Sequence, residues 1–235
     1  IAEIQWVIAI ILAILVFATI LFWFWNRINP SKLVDEMQLR TRSWWVMCII
    51  FLFASIVHPV VTYLALGFLS FLTLREVYSL LNLREVDRSV LFFCYLSILI
   101  QYYFAFKGFY TLFLIFIPVF MFIIVPFLLV LTGETKDIIR SMCILPTSLM
   151  LGVFGISHLA LLINFPEMNS NGVSGKALLL FLIFITEAND IMQFVWGKIF
   201  GKHKILPSVS PNKTWEGFIG GVISTTIIGC LMGFL

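Results

Sequence analysis

YTLFLIFIPVFMFIIVPFLLVL occupies residues 110–131. No charge interrupts it, and it matches the ~20 apolar residues an α-helix needs to cross a hydrocarbon core. Runs like it recur along the chain. Of 235 residues, 61% are hydrophobic and 11% are charged, whereas a soluble domain carries about 25% charged residues. Period-2 alternation is absent, which argues against a transmembrane β-barrel. The expected fold is therefore all-α: a polytopic helical integral membrane protein, read as a single transmembrane domain over residues 1–235.

About eight membrane segments follow from hydropathy: Trp6–Phe24, Trp44–Val57, Val60–Leu74, Val90–Tyr103, Tyr110–Leu131, Ile138–Leu162, Ala177–Val195 and Phe218–Leu235. The first has neither the basic flank nor the small-residue cleavage pattern of a signal peptide. The second and third are short and share a break at His58-Pro59, as in a tight helical hairpin or one re-entrant element. Pro118, Pro126 and Pro146 fall inside spans, where neighbouring helices can satisfy the backbone groups a proline frees. Cys48, Cys94, Cys143 and Cys230 lie in apolar runs at spacings that suit neither a metal nor redox chemistry, and four buried thiols are expected.

The charges give an orientation. With the N-terminus outside the cytoplasm, the cytoplasmic segments hold Arg27, Lys32, Arg40, Arg42, Arg75, Arg84, Arg88, Lys136, Arg140, Lys198, Lys202, Lys204 and Lys213. The opposite side holds only Lys107 and Lys176. The positive-inside rule favours this arrangement.

Polar chemistry is densest from Glu187 to Glu216, a cytoplasmic substrate-binding loop region at 187–217. Glu187 and Asp190 are three apart on an apolar helix and share a face. Two such carboxylates call for a cation or a proton, and a hard ion such as Mg²⁺ takes carboxylates, waters and phosphate oxygens. Neutralisation by Lys198 or another lysine at the membrane interface is the alternative. Lys198, Lys202, Lys204 and Lys213 suit phosphate as flexible point charges. Ser208 and Ser210 offer hydroxyls, and Pro207 and Pro211 restrict the loop. Asn212 leads to Thr214, placed to cap the last helix so that its first amides face an anion. Gly217, Gly220 and Gly221 permit close helix approach. A basic anchor on anionic lipid would use the same lysines. His203 reads as a solvated loop histidine or a base, and His158 as a packing residue or part of a polar cavity. Arg75, in LREVYSLLNLREVDR, could reach a lipid phosphate or serve as a salt-bridged topology charge.

The residues Glu187-Ala188-Asn189-Asp190 followed by FVWGKIFGKHKILPSVSPNKTWEGFIGG resemble the phosphatidate cytidylyltransferase family, the CDP-diacylglycerol synthases. LTLREVY at 72–78 is similar to that family's internal arginine–glutamate segment. The resemblance implies transfer of a cytidylyl group from CTP to phosphatidate, giving CDP-diacylglycerol and pyrophosphate. It implies Mg²⁺ as cofactor, with Asp190 first and Glu187 second as metal ligands, and Asp190 and Lys213 as the catalytic pair. Lys198, Lys202, His203, Lys204, Ser208, Ser210, Asn212, Lys213 and Thr214 would hold nucleotide or phosphate, and Arg75 the lipid phosphate. The partners it implies are CTP, phosphatidate and membrane lipids, with no nucleic acid; a homodimer is left open. The expected location is a bacterial inner membrane, multi-pass, with its active face cytoplasmic.

Two departures stand out. Many members have Asp-Thr-Gly-Ala-Tyr where this chain has Asp190-Ile191-Met192-Gln193-Phe194, a form that looks like a bacterial side-branch. The chain also ends before the family's C-terminal signature, with its Lys-Arg and Lys-Asp pairs and Gly-His-Gly-Gly…Asp-Arg-X-Asp segment. A truncated chain is the simpler expectation. Readings from other classes are a lipid or ion transporter using Glu187, Asp190 and His158, and an inactive scaffold binding anionic lipid.

Overall fold

The computed structural model describes residues 2–28, 30, 32–81, 83–164 and 175–233. Ten α-helices occur among them: α1 Ala2–Ile28, α2 Lys32–Val57, α3 Pro59–Leu80, α4 Arg88–Lys107, α5 Tyr110–Ile115, α6 Phe122–Leu131, α7 Ile138–Leu149, α8 Ile156–Leu162, α9 Gly175–Phe200 and α10 Trp215–Gly233. A π-helical turn, Phe116–Met121, joins α5 to α6, and another, Met150–Gly155, joins α7 to α8. Each pair therefore forms one continuous membrane-length rod. Seven helical segments among the described residues are long and apolar enough to cross a membrane. The 26-residue α2 carries the remaining segment expected from hydropathy. The protein is a polytopic helical membrane protein.

The helices outrun the spans read from hydropathy because their charged end turns continue beyond the apolar stretch. The re-entrant reading of the second and third spans gives way to two full helices. His58 separates them: its Nδ1 accepts the Val60 amide at 3.2 Å and Pro59 takes the first helical position, where its missing N–H costs nothing. Residues 234–235 of the expected last span lie outside the described residues. Among the described residues, the one element that is not helical is an antiparallel hairpin, β1 Lys204–Leu206 with β2 Ser210–Thr214. It lies within the proline-stiffened loop region read from the sequence.

The chain forms two compact units. One comprises residues 46–175 and the other residues 1–45 with 176–235. In the first, α3, α4 and α8 pack on one another and α6 packs on α7. Leu66, Leu74, Cys94, Phe113, Ile117, Leu129, Leu145 and Leu149 are buried there. Several polar groups in this core are paired across or along helices. The Tyr102 hydroxyl meets the Ser70 hydroxyl and donates to the Leu66 carbonyl, both at 2.9 Å. Gln101 donates from Nε2 to the Phe113 carbonyl and to Ser157 Oγ, both at 3.2 Å. His158 holds the Phe154 carbonyl at 2.7 Å and lies edge-on to Phe113 and Phe154, the packing role expected of it. The thiols divide: Cys94 is buried, Cys48 is half-buried, and Cys143 and Cys230 are exposed. Four buried thiols was therefore the wrong expectation for Cys143 and Cys230. An apolar run in a membrane helix has a lipid-facing side as well as a core-facing one, and hydropathy does not separate them.

Two loops of this unit are locked by Arg84. Its Nη2 meets Asp87 at 2.6 Å, and its Nη1 donates to the carbonyls of Glu134 and Lys136 at 2.9 and 2.8 Å. Asp87 is fully buried and also accepts the Ser141 hydroxyl at 2.6 Å. Removing one partner from such a pair strands the other. Asp87→Ala should lower the stability of the folded protein by about 3 kcal/mol, read as a fall in thermal unfolding temperature in detergent, with Ser141→Ala causing a smaller loss of about 1 kcal/mol.

Candidate functional site

The unit made of residues 1–45 and 176–235 carries the polar cluster. Within it α1 and α2 are tied by Trp45, whose Nε1 donates to Thr19 Oγ1 at 3.0 Å, and by Gln38, whose Nε2 donates to the Phe22 carbonyl at 3.2 Å. Helices α9 and α10 are held by Trp196 Nε1 donating to Ser224 Oγ at 2.9 Å and by Thr225 donating to Asn189 Oδ1 at 3.4 Å. Their close approach depends on glycine. A Cβ on Gly217 would stand 2.7 Å from the Gln193 carbonyl oxygen, and one on Gly221 would strike the Gln193 side chain. The helix contact expected at these glycines is present.

The hairpin is fixed to the start of α10. Thr214 is buried, and its Oγ1 accepts the Gly217 amide at 3.2 Å, the N-cap geometry expected from the sequence. The Trp215 amide donates to the His203 carbonyl at 2.9 Å. Glu216 reaches back to the loop. It accepts the amides of Lys202 and His203 at 3.1 and 3.2 Å, and its Oε1 lies 2.6 Å from His203 Nδ1. These bonds revise one expectation. The amides of Trp215 and Gly217 are already engaged inside the chain, so they do not form an open anion cradle. The Nδ1 of His203 is engaged in the same clasp, while its side chain stays largely exposed.

A cavity of about 360 Å³ opens beside this clasp, within the range of small-ligand sites. Its wall includes Asp190, Gln193, Phe194 and Lys198 from α9, Ser210, Asn212, Lys213 and Thr214 from β2, Gly217 and Phe218 from α10, and Glu36 and Arg40 from α2. Asp190 is exposed into it, with Arg40 Nη1 at 3.9 Å. Glu36 takes Arg40 Nη2 at 3.3 Å and Lys198 Nζ at 3.5 Å. Phe194 lies beneath both cations, 4.3 Å from the Arg40 guanidinium carbon and 5.4 Å from Lys198 Nζ.

Six of the residues singled out by sequence thus meet on one cavity: Asp190, Lys198, Ser210, Asn212, Lys213 and Thr214. Glu187, a turn before Asp190, is outside the lining, as are Lys202, His203, Lys204 and Ser208. Lys204 is exposed on β1, and Ser208 is exposed in the turn of the hairpin. Arg75 belongs to the other unit, where it borders a shallow groove with Leu72, Thr73, Glu76 and Val77. Glu36, Arg40 and Gln193 were not anticipated. Glu36 and Arg40 stand four apart, a readable helical ion pair, but nothing local to them points to Asp190.

The cavity suits an anion that arrives with a cation. Lys198, Lys213 and Arg40 supply positive charge; Ser210 and Asn212 supply hydrogen-bonding groups. Among the described residues no cluster of three or more His, Cys, Asp or Glu forms a closed metal site. Two carboxylates, Asp190 and Glu36, share the wall. Asp190 is the more exposed of the two and is free to contribute one oxygen ligand to a hard divalent ion, which uses one or two carboxylates and completes its shell with waters and phosphate oxygens.

Residues 38–235 match the cytidylyltransferase family. Uncharacterized protein YnbB of Escherichia coli (strain K12) is 35% identical over 96% of this chain and 73% of its own length. A phosphatidate cytidylyltransferase of Staphylococcus saprophyticus is 36% identical over 30% of this chain and 27% of its own. Phosphatidate cytidylyltransferase 2 of Homo sapiens is 35% identical over 35% of this chain and 19% of its own. No solved structure matches. The extended match to YnbB and the cover of the family from residue 38 onward lead to one assignment: the chain belongs to the cytidylyltransferase family.

Proposed function

We propose that the protein transfers the cytidylyl group of CTP to phosphatidate, giving CDP-diacylglycerol and pyrophosphate. The observation that carries this reading is the cavity in which Asp190, Lys198 and Lys213 face Ser210 and Asn212, in a chain whose named relatives include phosphatidate cytidylyltransferases. The proposed location is a bacterial inner membrane with the hairpin on the cytoplasmic side, where soluble CTP and a membrane-borne phosphatidate can meet.

In this reading a phosphate oxygen of the lipid attacks the α-phosphorus of CTP. The bond from that phosphorus to the oxygen bridging the β-phosphate breaks, and pyrophosphate leaves with the electron pair. No nucleophile from the protein is needed. The barrier is repulsion between anions and the charge gathering on the leaving group, which fixed positive groups relieve. Lys213 on β2 and Lys198 on α9 would face the phosphates. Ser210 and Asn212 would donate hydrogen bonds to phosphate oxygens and hold the α-phosphorus in line. Asp190 would hold a divalent cation, which would supply further neutralisation of the pyrophosphate when bound. The Glu216 clasp would keep β2 in register with α9, so that Lys213 and Asp190 share one space.

The test is a coupled assay in liposomes containing phosphatidate, with CTP and Mg²⁺, detecting pyrophosphate and CDP-lipid together. Release of both products supports the reading; their absence from a folded, lipid-supplied protein sinks it and favours an inactive lipid-binding scaffold. EDTA should stop turnover and excess Mg²⁺ restore it. Asp190→Asn should lower turnover at least ~100-fold, the scale of losing a major electrostatic contribution. Glu216→Ala should loosen the 202–203 attachment and leave the hairpin cleaved faster by added protease, by about tenfold or more, because exposed segments open according to their local stability.

A further inference from the structure

Three cations, Arg40, Lys198 and Lys213, line the cavity, and one carboxylate contacts two of them. Glu36 contacts Arg40 at 3.3 Å and Lys198 at 3.5 Å. All three side chains are about two-fifths exposed, at 42%, 39% and 43%. Partly exposed pairs of this kind are weak and easily exchanged for another partner. Arg40 is incompletely satisfied where it stands. Its contact with Asp190 is long, at 3.9 Å, and its Nε is buried without a hydrogen-bond partner. A guanidinium presents a planar fork that matches two phosphate oxygens, which a carboxylate at one Nη does not exhaust. Phe194 lies beneath both Arg40 and Lys198, so that two like charges are held side by side with Glu36 between them. Glu36 comes just before the residues that match the family.

We propose that Glu36 and Arg40 form an electrostatic latch on the cavity. In the free protein Glu36 holds Arg40 and Lys198. An incoming polyphosphate displaces the Glu36 carboxylate, and Arg40 binds the phosphate through its fork, with Lys198 beside it. Glu36 thereby sets a threshold against weakly charged anions, and Arg40 selects for a diphosphate or longer chain. The latch rests on the proposed reaction for its physiological ligand, a nucleoside triphosphate, but its chemistry is that of any polyphosphate.

The experiment measures equilibrium binding of inorganic pyrophosphate, and separately of CTP, to the full chain in phosphatidylcholine nanodiscs with Mg²⁺. Arg40→Gln should weaken pyrophosphate binding about tenfold or more. Glu36→Gln should tighten it about threefold or more, because both cations are released to the ligand. Arg40→Lys should fall between wild type and Arg40→Gln, since it keeps the charge and loses the fork. A structural ion pair cannot give effects of opposite sign. If Glu36→Gln and Arg40→Gln both leave affinity unchanged, or both weaken it in step with a lowered unfolding temperature, the latch is wrong. Should Glu36→Gln fail to fold, the graded order of wild type, Arg40→Lys and Arg40→Gln carries the test, and equal affinities across the three overturn it. Wild-type protein that binds no pyrophosphate also overturns it. Binding with the expected pattern but no CDP-lipid would keep the latch and remove the proposed reaction; turnover with unaltered binding in every variant would remove the latch alone.

Discussion

Hydrocarbon offers no hydrogen bonds, and that constraint arranges everything else in this protein. Backbone groups must be satisfied within each helix, so the spans are helices. Polar side chains inside them must find partners across helix faces, as Gln101 does with the Phe113 carbonyl and Ser157, and Tyr102 with Ser70 and Leu66. Groups that must stay charged collect at helix ends. The Asp190 cavity forms where the end of α9, the start of α10, the charged first turns of α2 and the hairpin come together.

The same constraint explains the clasp between the hairpin and α10. A helix start leaves its first amides without intrahelical partners. Here Thr214 and the His203 carbonyl take two of them, while Glu216 turns back to hold the amides of the preceding loop. A short two-stranded hairpin is marginal on its own. Anchored in this way, it presents Ser210, Asn212 and Lys213 from one strand as a fixed wall opposite a rigid helix. The close crossing at Gly217 and Gly221 brings that wall near Asp190.

The electrostatics of the cavity follow from mixing signs at short range. Glu36 and Asp190 alternate with Arg40 and Lys198, so each of these four charges has an opposite neighbour. Exposed to water, such contacts exchange readily. A site of this type can exchange one charged partner for another without first creating an isolated charge.

Hydropathy alone determined the helical membrane fold and the positions of its spans, because the cost of exposing polar backbone to lipid is read from the apolar length of each run. Local chemistry also located the segment from Asp190 to Thr214, the Thr214 cap and the glycine-dependent helix contact, all of which act between neighbours in sequence or at helical spacing. Tertiary structure decided the membership of the cavity. It brought in Glu36 and Arg40 from α2, left out Glu187, Lys202, Lys204 and Ser208, and gave His203 to the Glu216 clasp. It also separated the buried Cys94 from the exposed Cys143 and Cys230. These outcomes depend on how each helix is rotated and where it crosses its neighbour. A run that is apolar all round carries almost no moment to fix that rotation, so packing between distant segments sets it.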